Sequence, residues 1–282
     1  MAVAFRVKRQ FKSIATLIEK VLPARIFKGV LSFGFPKYKA SVRFLYMVSG
    51  FVLYKQFDKG KWIMVKRIHS IMPYTLVGIG GLEATYRLAT MMNDRGVPGD
   101  YVELGVAKGG CAALMGKTIF DESRPHSIER RLWLFDSFEG LPEPTENDFS
   151  EGGTGYHLTP LSKGSCTGTL EEVKYLLFDV CGFSDEKTIF VKGWFENTVP
   201  AQRDKMGKIA ILRIDGDWYE STKTCLEGLY DLVAPGGAVI VDDYLSCYGC
   251  KKAVDEFMKV RGIHSNIVFD GRGGCYFFKP QS

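Results

Sequence analysis

Acidic side chains and glycines gather at the ends of apolar runs in this chain. Glu103 and Gly105 close DYVELGV (100–106), Asp136 sits near the end of RLWLFDS (131–137), and Gly193 ends TIFVKG (188–193). Asp215-Gly216-Asp217 completes KIAILRID (208–215), and Asp242-Asp243 lies within GAVIVDDY (237–244). A cluster of Asp215, Asp242 and Asp243 without a cation would repel itself and raise its own pKa values. Such hard oxygen donors suit Mg²⁺, which wants near-octahedral geometry and retained waters. Zinc is not expected, because no soft ligand is evident nearby. Glu103 points to a second chemistry. Residues 103–110 read E-x-G-x-x-x-G-G, with Glu103 where the dinucleotide fingerprint has its first glycine. A carboxylate there repels a pyrophosphate and suits a cationic ligand. Asp136 fits an acid that binds ribose hydroxyls; its other reading is a helix cap, since Ser137 follows.

These groups meet only if the apolar runs are neighbouring strands. Helical patterns lie between them, over 109–121, 169–181, 220–233 and 248–261, and Leu82, Tyr86, Leu88, Ala89 and Met92 recur at helix period before the first strand. Strands alternating with helices imply a mostly parallel sheet covered on both faces. In such sheets ligands bind beyond the carboxyl ends of the strands. Pro235-Gly236-Gly237 is expected to close the helix over 220–233, and Ser221 and Thr222 to cap its start. Two short runs, 265–269 and 274–278, read as a closing antiparallel hairpin.

The apolar fraction of 46% and charged fraction of 24% exclude a disordered chain and a disulfide scaffold. Charge is divided unevenly. Residues 1–70 hold 15 of 37 Lys/Arg but only 2 of 32 Asp/Glu, a balance of +13, whereas the rest carries −8. An acidic body is unsuited to a phosphate backbone, so no nucleic-acid partner is expected. We therefore divide the chain into a basic, mostly helical extension (1–70), interrupted at Pro23, Gly34-Phe35-Pro36 and Gly60, and a catalytic body (71–282). Seven scattered cysteines suit a reducing, cytoplasmic setting, and Cys247-x-x-Cys250 reads as buried helix cysteines. The apolar stretch over 44–54 is bounded by Arg43 and Lys55, shorter than the roughly 20 residues of a spanning helix. Val3, Val7, Phe11, Ile14, Leu17, Ile18 and Val21 alternate with basic residues as an amphipathic helix suited to peripheral contact with an anionic membrane.

VPGDYVELGVAKGG, WLFDSFEGLP, VKGWFENTVP, LRIDGDWYESTKTCLEGLY and GGAVIVDDY resemble, in that order, the TylF/macrocin O-methyltransferase family, from about Pro73 to Gly271. Residues 1–70 show no comparable resemblance. The likeness implies an α/β class I methyltransferase: a doubly wound, Rossmann-like seven-stranded sheet whose last strand is antiparallel. It implies S-adenosylmethionine and Mg²⁺ as cofactors, a small hydroxylated acceptor such as a sugar of a secondary metabolite or glycolipid, and a homo-oligomer. Glu103 is then expected near the methionine amino group, Thr75 near its carboxylate, and Gly105 and Gly109 where backbone comes close. Asp136 and Ser137 fall to the ribose, Gly193 and Trp194 to the adenine, and Asp215 to both cofactor and metal. Asp217 is the expected general base, with His157 in reserve. The family commonly reads GVWRGG where this chain has Gly105-Val-Ala-Lys-Gly-Gly110, so a planar arginine contact is exchanged for lysine. Two alternatives stand: a catechol-like phenol or lipid headgroup as acceptor, or a catalytically silent, membrane-docked binding module.

Overall fold

The apolar runs alternate in which face they bury, and that alternation sets the architecture. The computed structural model describes residues 24–120, 128–150 and 160–281. The amphipathic helix expected over 3–21 and His157 lie outside them. The chain divides into two units, Met1–Met72 and Pro73–Ser282. In the first, α1 (Ala24–Tyr54) and α2 (Lys59–Ile71) form a helical pair. Gly50 brings them close, since a Cβ there would meet Val65 Cγ1 at 2.5 Å. Asp58 caps α2 by accepting from the Lys61 amide at 2.9 Å. α1 runs through Gly34-Phe35-Pro36 where a break was expected; one missing donor is tolerated in so long a helix. Among the described residues no helix is long and apolar enough to cross a membrane.

In the second unit the strands are β1 (Asp100–Leu104), β2 (Leu132–Asp136), β3 (Thr188–Lys192), β4 (Ile209–Ile214), β5 (Val233–Val241), β6 (Val268–Phe269) and β7 (Cys275–Phe278). They form one sheet in the order β3-β2-β1-β4-β5-β7-β6. The first five are parallel, and β7 pairs antiparallel with both β5 and β6. This is the doubly wound arrangement expected from the sequence. The helices are α3 (Ile79–Asp94), α4 (Gly110–Ile119), α5 (Leu170–Lys174), α6 (Phe195–Arg203), α7 (Tyr219–Leu229) and α8 (Tyr248–Val260), with a π-helical turn over Tyr175–Val180 continuing α5.

One sheet face presents Val102, Leu104, Phe135, Leu212, Ile214, Val239 and Val241 to Val199 of α6, Leu226 of α7 and Val254 of α8 in the main core. The other presents Tyr101, whose hydroxyl donates to Ala89 O on α3 at 2.7 Å. Glu103 and Arg213 share that second face and are direct register partners across β1 and β4. Two boundaries differ from expectation. The helix over 220–233 ends at Leu229, and β5 begins already at Val233, with Pro235-Gly236 inside it. The β4–β5 register shifts between Ile209 and Ile211, so these residues make an irregularity in the strand rather than a helix stop.

Gly105 fixes the turn after β1. Its φ is +90°, and a Cβ there would stand 1.8 Å from Asp215 O. Only glycine permits both. Gly105→Ala is expected to cost about 2 kcal/mol or more of folding stability, measured by urea denaturation, because a left-handed φ and a backbone clash combine.

Candidate active site

The loops at the carboxyl edge of the sheet enclose a cavity of about 560 Å³. Thr75, Glu103, Gly105, Asp136, Ser137, Gly193, Trp194, Asp215, Asp217, Asp242 and Asp243, all singled out from the sequence, line it. Gly109 does not; it is the left-handed N-cap of α4, with φ +81°, and Gly110 borders the cavity instead. Gly110 has to be small, since a Cβ there would meet the Thr75 Cβ at 2.4 Å.

Arg213 organises the floor, and the sequence reading passed over it. Its side chain is fully buried, and it donates to Asp242 Oδ1 at 2.6 Å and Asp215 Oδ2 at 2.8 Å, with Glu103 Oε1 at 3.2 Å. A lone arginine inside the apolar run ILRID was the available signal. Glu103 Oε2 is buried without a hydrogen-bond partner among the described residues. Burial pushes the Glu103 carboxyl up to about 8, against the pull of Arg213. A buried acceptor facing a cavity and lacking a donor fits an ammonium group.

Asp136 is committed to backbone. Its Oδ2 accepts from the Val106 and Ala107 amides at 2.7 and 2.9 Å, and its Oδ1 from Phe138 at 2.6 Å. It thereby ties the β2 end to the glycine-rich turn, in which Ala107 has φ +45°. No helix follows it to be capped. Ser137 closes a local turn, accepting from the Glu139 amide at 3.1 Å and donating to Gly140 O at 3.2 Å.

The acidic cluster is assembled as its spacing suggested. Asp215, Asp242 and Asp243 each bring a carboxylate oxygen to within 4.8 Å of the others. Burial and mutual repulsion raise the pKa values of Asp215 and Asp243. Asp217, with φ +54°, is raised to about 7 by burial and then by Asp215 and Asp242. That makes it a stronger base than an ordinary aspartate. Counting Glu103, five carboxyl groups here face two guanidiniums, those of Arg213 and Arg272. A buried excess of carboxyl groups over guanidiniums, with clustered oxygen donors, fits a hard divalent cation.

Two expectations are corrected here. A soft ligand does lie nearby: the Cys247 thiol donates to Asp217 Oδ1 at 3.8 Å and clusters with Asp217 and Asp243. Its pKa is raised by burial and by these acids, so it stays a thiol. Ser221 and Thr222 do not cap α7; Trp218 is its N-cap and has no side-chain cap bond. The Tyr219 amide donates instead to Asp148 Oδ1 at 2.7 Å, across 71 residues of chain. Trp218 Nε1 in turn donates to Pro142 O at 3.1 Å, fixing the loop that leads to Asp148.

The sequence model of the macrocin O-methyltransferase (TylF) family matches residues 18–279. The chain belongs to that family. The match also reaches back into the basic extension, where none was expected. The chain is 36% identical over 210 residues, 74% of its length and 76% of the relative's, to demethyldecarbamoylnovobiocin O-methyltransferase of Streptomyces niveus. It is 37% identical over 206 residues to a rhamnosyl-tetracenomycin 4′-O-methyltransferase of Streptomyces olivaceus, covering 71% of this chain and 74% of that one. A solved structure of the O-methyltransferase NovP superposes with a TM-score of 0.63 at 33% identity, covering 74% of this chain and 83% of that one. This protein is an S-adenosylmethionine-dependent O-methyltransferase.

Glu103 gives the methyltransferase a testable pH signature. The sequence expectation that Glu103 receives the methionine ammonium requires its carboxyl to be ionised, and its pKa of about 8 leaves it largely protonated at pH 7. S-adenosylhomocysteine affinity of the metal-free enzyme should therefore rise between pH 7 and 9, with proton release at the lower pH. Calorimetry in buffers of different ionisation enthalpy measures both. Glu103→Gln should flatten the profile; a flat profile in the wild type would remove the assignment.

Proposed function

We propose that this enzyme methylates a hydroxyl on a sugar carried by a secondary metabolite or glycolipid, with Mg²⁺ held by Asp215, Asp242 and Asp243. The observation that carries the reading is the clustering of those three carboxylates and Asp217 in the same cavity as the unpartnered Glu103 oxygen. The names of the relatives, which include a rhamnosyl O-methyltransferase, support the acceptor class.

The chain's own groups divide the work. Glu103 and Thr75 receive the two ends of the methionine, the ammonium and the carboxylate. Asp136 holds the glycine-rich turn in shape, and Ser137, Gly193 and Trp194 border the nucleoside. Arg213 keeps Asp215 and Asp242 oriented by bonding one oxygen of each, and the second oxygen of Asp242 is paired with Arg272. A divalent cation at this site supplies Lewis acidity that lowers the pKa of an acceptor hydroxyl. Asp217 would take the proton of the acceptor hydroxyl; the bound cofactor would supply the methyl, its S–C bond breaking as the O–C bond forms and S-adenosylhomocysteine leaving. His157 stands in reserve as base.

Transfer of labelled methyl to deoxysugar glycosides, compared with catechols and with and without EDTA, tests the reading. Methylation of the sugar panel that EDTA abolishes is expected; transfer to catechols alone would replace the acceptor class. Asp243→Asn should remove metal-stimulated turnover while S-adenosylhomocysteine affinity stays close to wild type. Asp217→Asn should lower kcat by about 10²- to 10⁴-fold. Because a bound cation lowers the pKa of neighbouring carboxyls, the rising limb of the wild-type pH–rate profile should lie below pH 7.

We further propose that the enzyme is cytoplasmic, self-associates and touches anionic membranes peripherally. Supporting this, α1 exposes Phe44, Val48, Phe51 and Val52 at helical spacing, Phe57 beyond it is 83% exposed, and Lys55 lies over the Phe51 ring. Co-sedimentation with phosphatidylserine vesicles but not neutral ones is expected, and Phe44→Glu with Phe57→Glu should abolish it. Equal behaviour with both lipids would remove the contact, and light scattering reads the mass in solution.

A further inference from the structure

Asp242 has both carboxylate oxygens engaged by arginines, and the two arginines are held very differently. Arg213 bonds Oδ1 and is locked by three carboxylates in the fully buried floor. Arg272 pairs with Oδ2 from the turn between β6 and β7, and its side chain keeps 24% of its exposure. With Oδ1 committed to Arg213, Oδ2 is the oxygen that Asp242 has to offer a metal.

The base of the Arg272 arm is fixed by its own turn, while its far end is held only by the pairing with Asp242. Asp270 Oδ1 accepts from the amides of Arg272, Gly273 and Gly274 at 2.7, 3.0 and 3.1 Å, which holds the turn. Beyond the turn the arm lies along the start of α3, where the residues are glycines. A Cβ on Gly78 would stand 2.9 Å from Arg272 Cδ and 3.2 Å from Nε, and one on Gly80 would stand 3.6 Å from Arg272 Cβ. The arm occupies a side-chain-free track that leads to Asp242.

We propose that Arg272 holds the divalent cation's place on Asp242 in the metal-free enzyme, so that cation binding and withdrawal of the Arg272 arm are a single exchange. This rests on the reading that Asp215, Asp242 and Asp243 form a metal site. The guanidinium balances the buried Asp242 carboxylate and holds it in position. It also competes for the oxygen that the cation needs, so its interaction with Asp242 subtracts from the metal's apparent affinity.

Titration of Mn²⁺ into the metal-free full-length enzyme, with free Mn²⁺ followed by electron paramagnetic resonance, tests the exchange. Arg272→Gln removes the competitor and should bind Mn²⁺ about tenfold more tightly than wild type. Gly78→Ala pushes the arm aside without changing any charge; its backbone φ of −76° accepts alanine, and it should tighten binding in the same direction. Tightening in Arg272→Gln alone would be a simple field effect and would overturn the exchange. No tightening in either variant would overturn it as well, while wild-type binding that Asp243→Asn abolishes would leave the metal site standing. No binding by wild type would remove the metal reading and the exchange together. Thermal melts give a readout that a packing role would not move. The Arg272→Gln deficit in EDTA should close in saturating Mg²⁺, and a deficit that persists would make Arg272 a packing residue only.

Discussion

A single buried guanidinium sets the terms for everything at the carboxyl edge of this sheet. Arg213 lies on β4 with no exposed surface and reaches acids on three strands: Glu103 on β1, Asp215 at the end of β4 and Asp242 after β5. Removing a charge from water is costly unless it is paired and hydrogen-bonded. Here the pairing also welds adjacent strands together at the point where the ligands bind. It requires β1, β4 and β5 to be neighbours in this register, so the order of the strands and the arrangement of the acids depend on the same contact.

The end of the cavity proposed for the cofactor is built more from backbone than from side chains. The carboxylate of Asp136 spends three acceptor positions on amides of the loop around it. Gly105 and Gly110 let chain segments pass at distances no side chain would permit. Such a site is specified by where the chain turns, and its rigidity comes from the sheet beneath it. The opposite end, with its crowded acids and a loop held by Trp218 and Asp148, depends on side chains drawn from distant parts of the sequence.

That difference explains what the sequence revealed. Strands buried on both faces are legible as apolar runs, and the acids ending them stand out because nothing apolar follows. So the sheet and the hairpin were visible in advance, and nearly all of the site residues singled out within the described segments do line the cavity. Arg213 was legible in principle, as a basic residue inside a buried strand, but its three partners come from different segments and only the register joins them. Cys247 looked like half of a CxxC pair, because its nearness to Asp217 depends on how α8 starts. Asp148 capping α7 and Arg272 reaching Asp242 left no local trace at all. The α7 boundary was misplaced for a related reason: Ser221 and Thr222 carry the right chemistry for capping, but the helix had already begun at Tyr219.

The reversed direction of β7 has a geometric consequence for the site. In the parallel strands a residue can join the carboxyl edge only by following its strand, because the segment preceding a parallel strand enters at the opposite edge. β7 runs the other way, with Cys275 beside Val241, so the turn before it arrives at the carboxyl edge, next to Asp242. Inverting one strand thus brings the turn immediately before a strand to a rim that the parallel strands supply from their downstream ends. That rim gains a basic side chain, Arg272, with no lengthening of any βα loop.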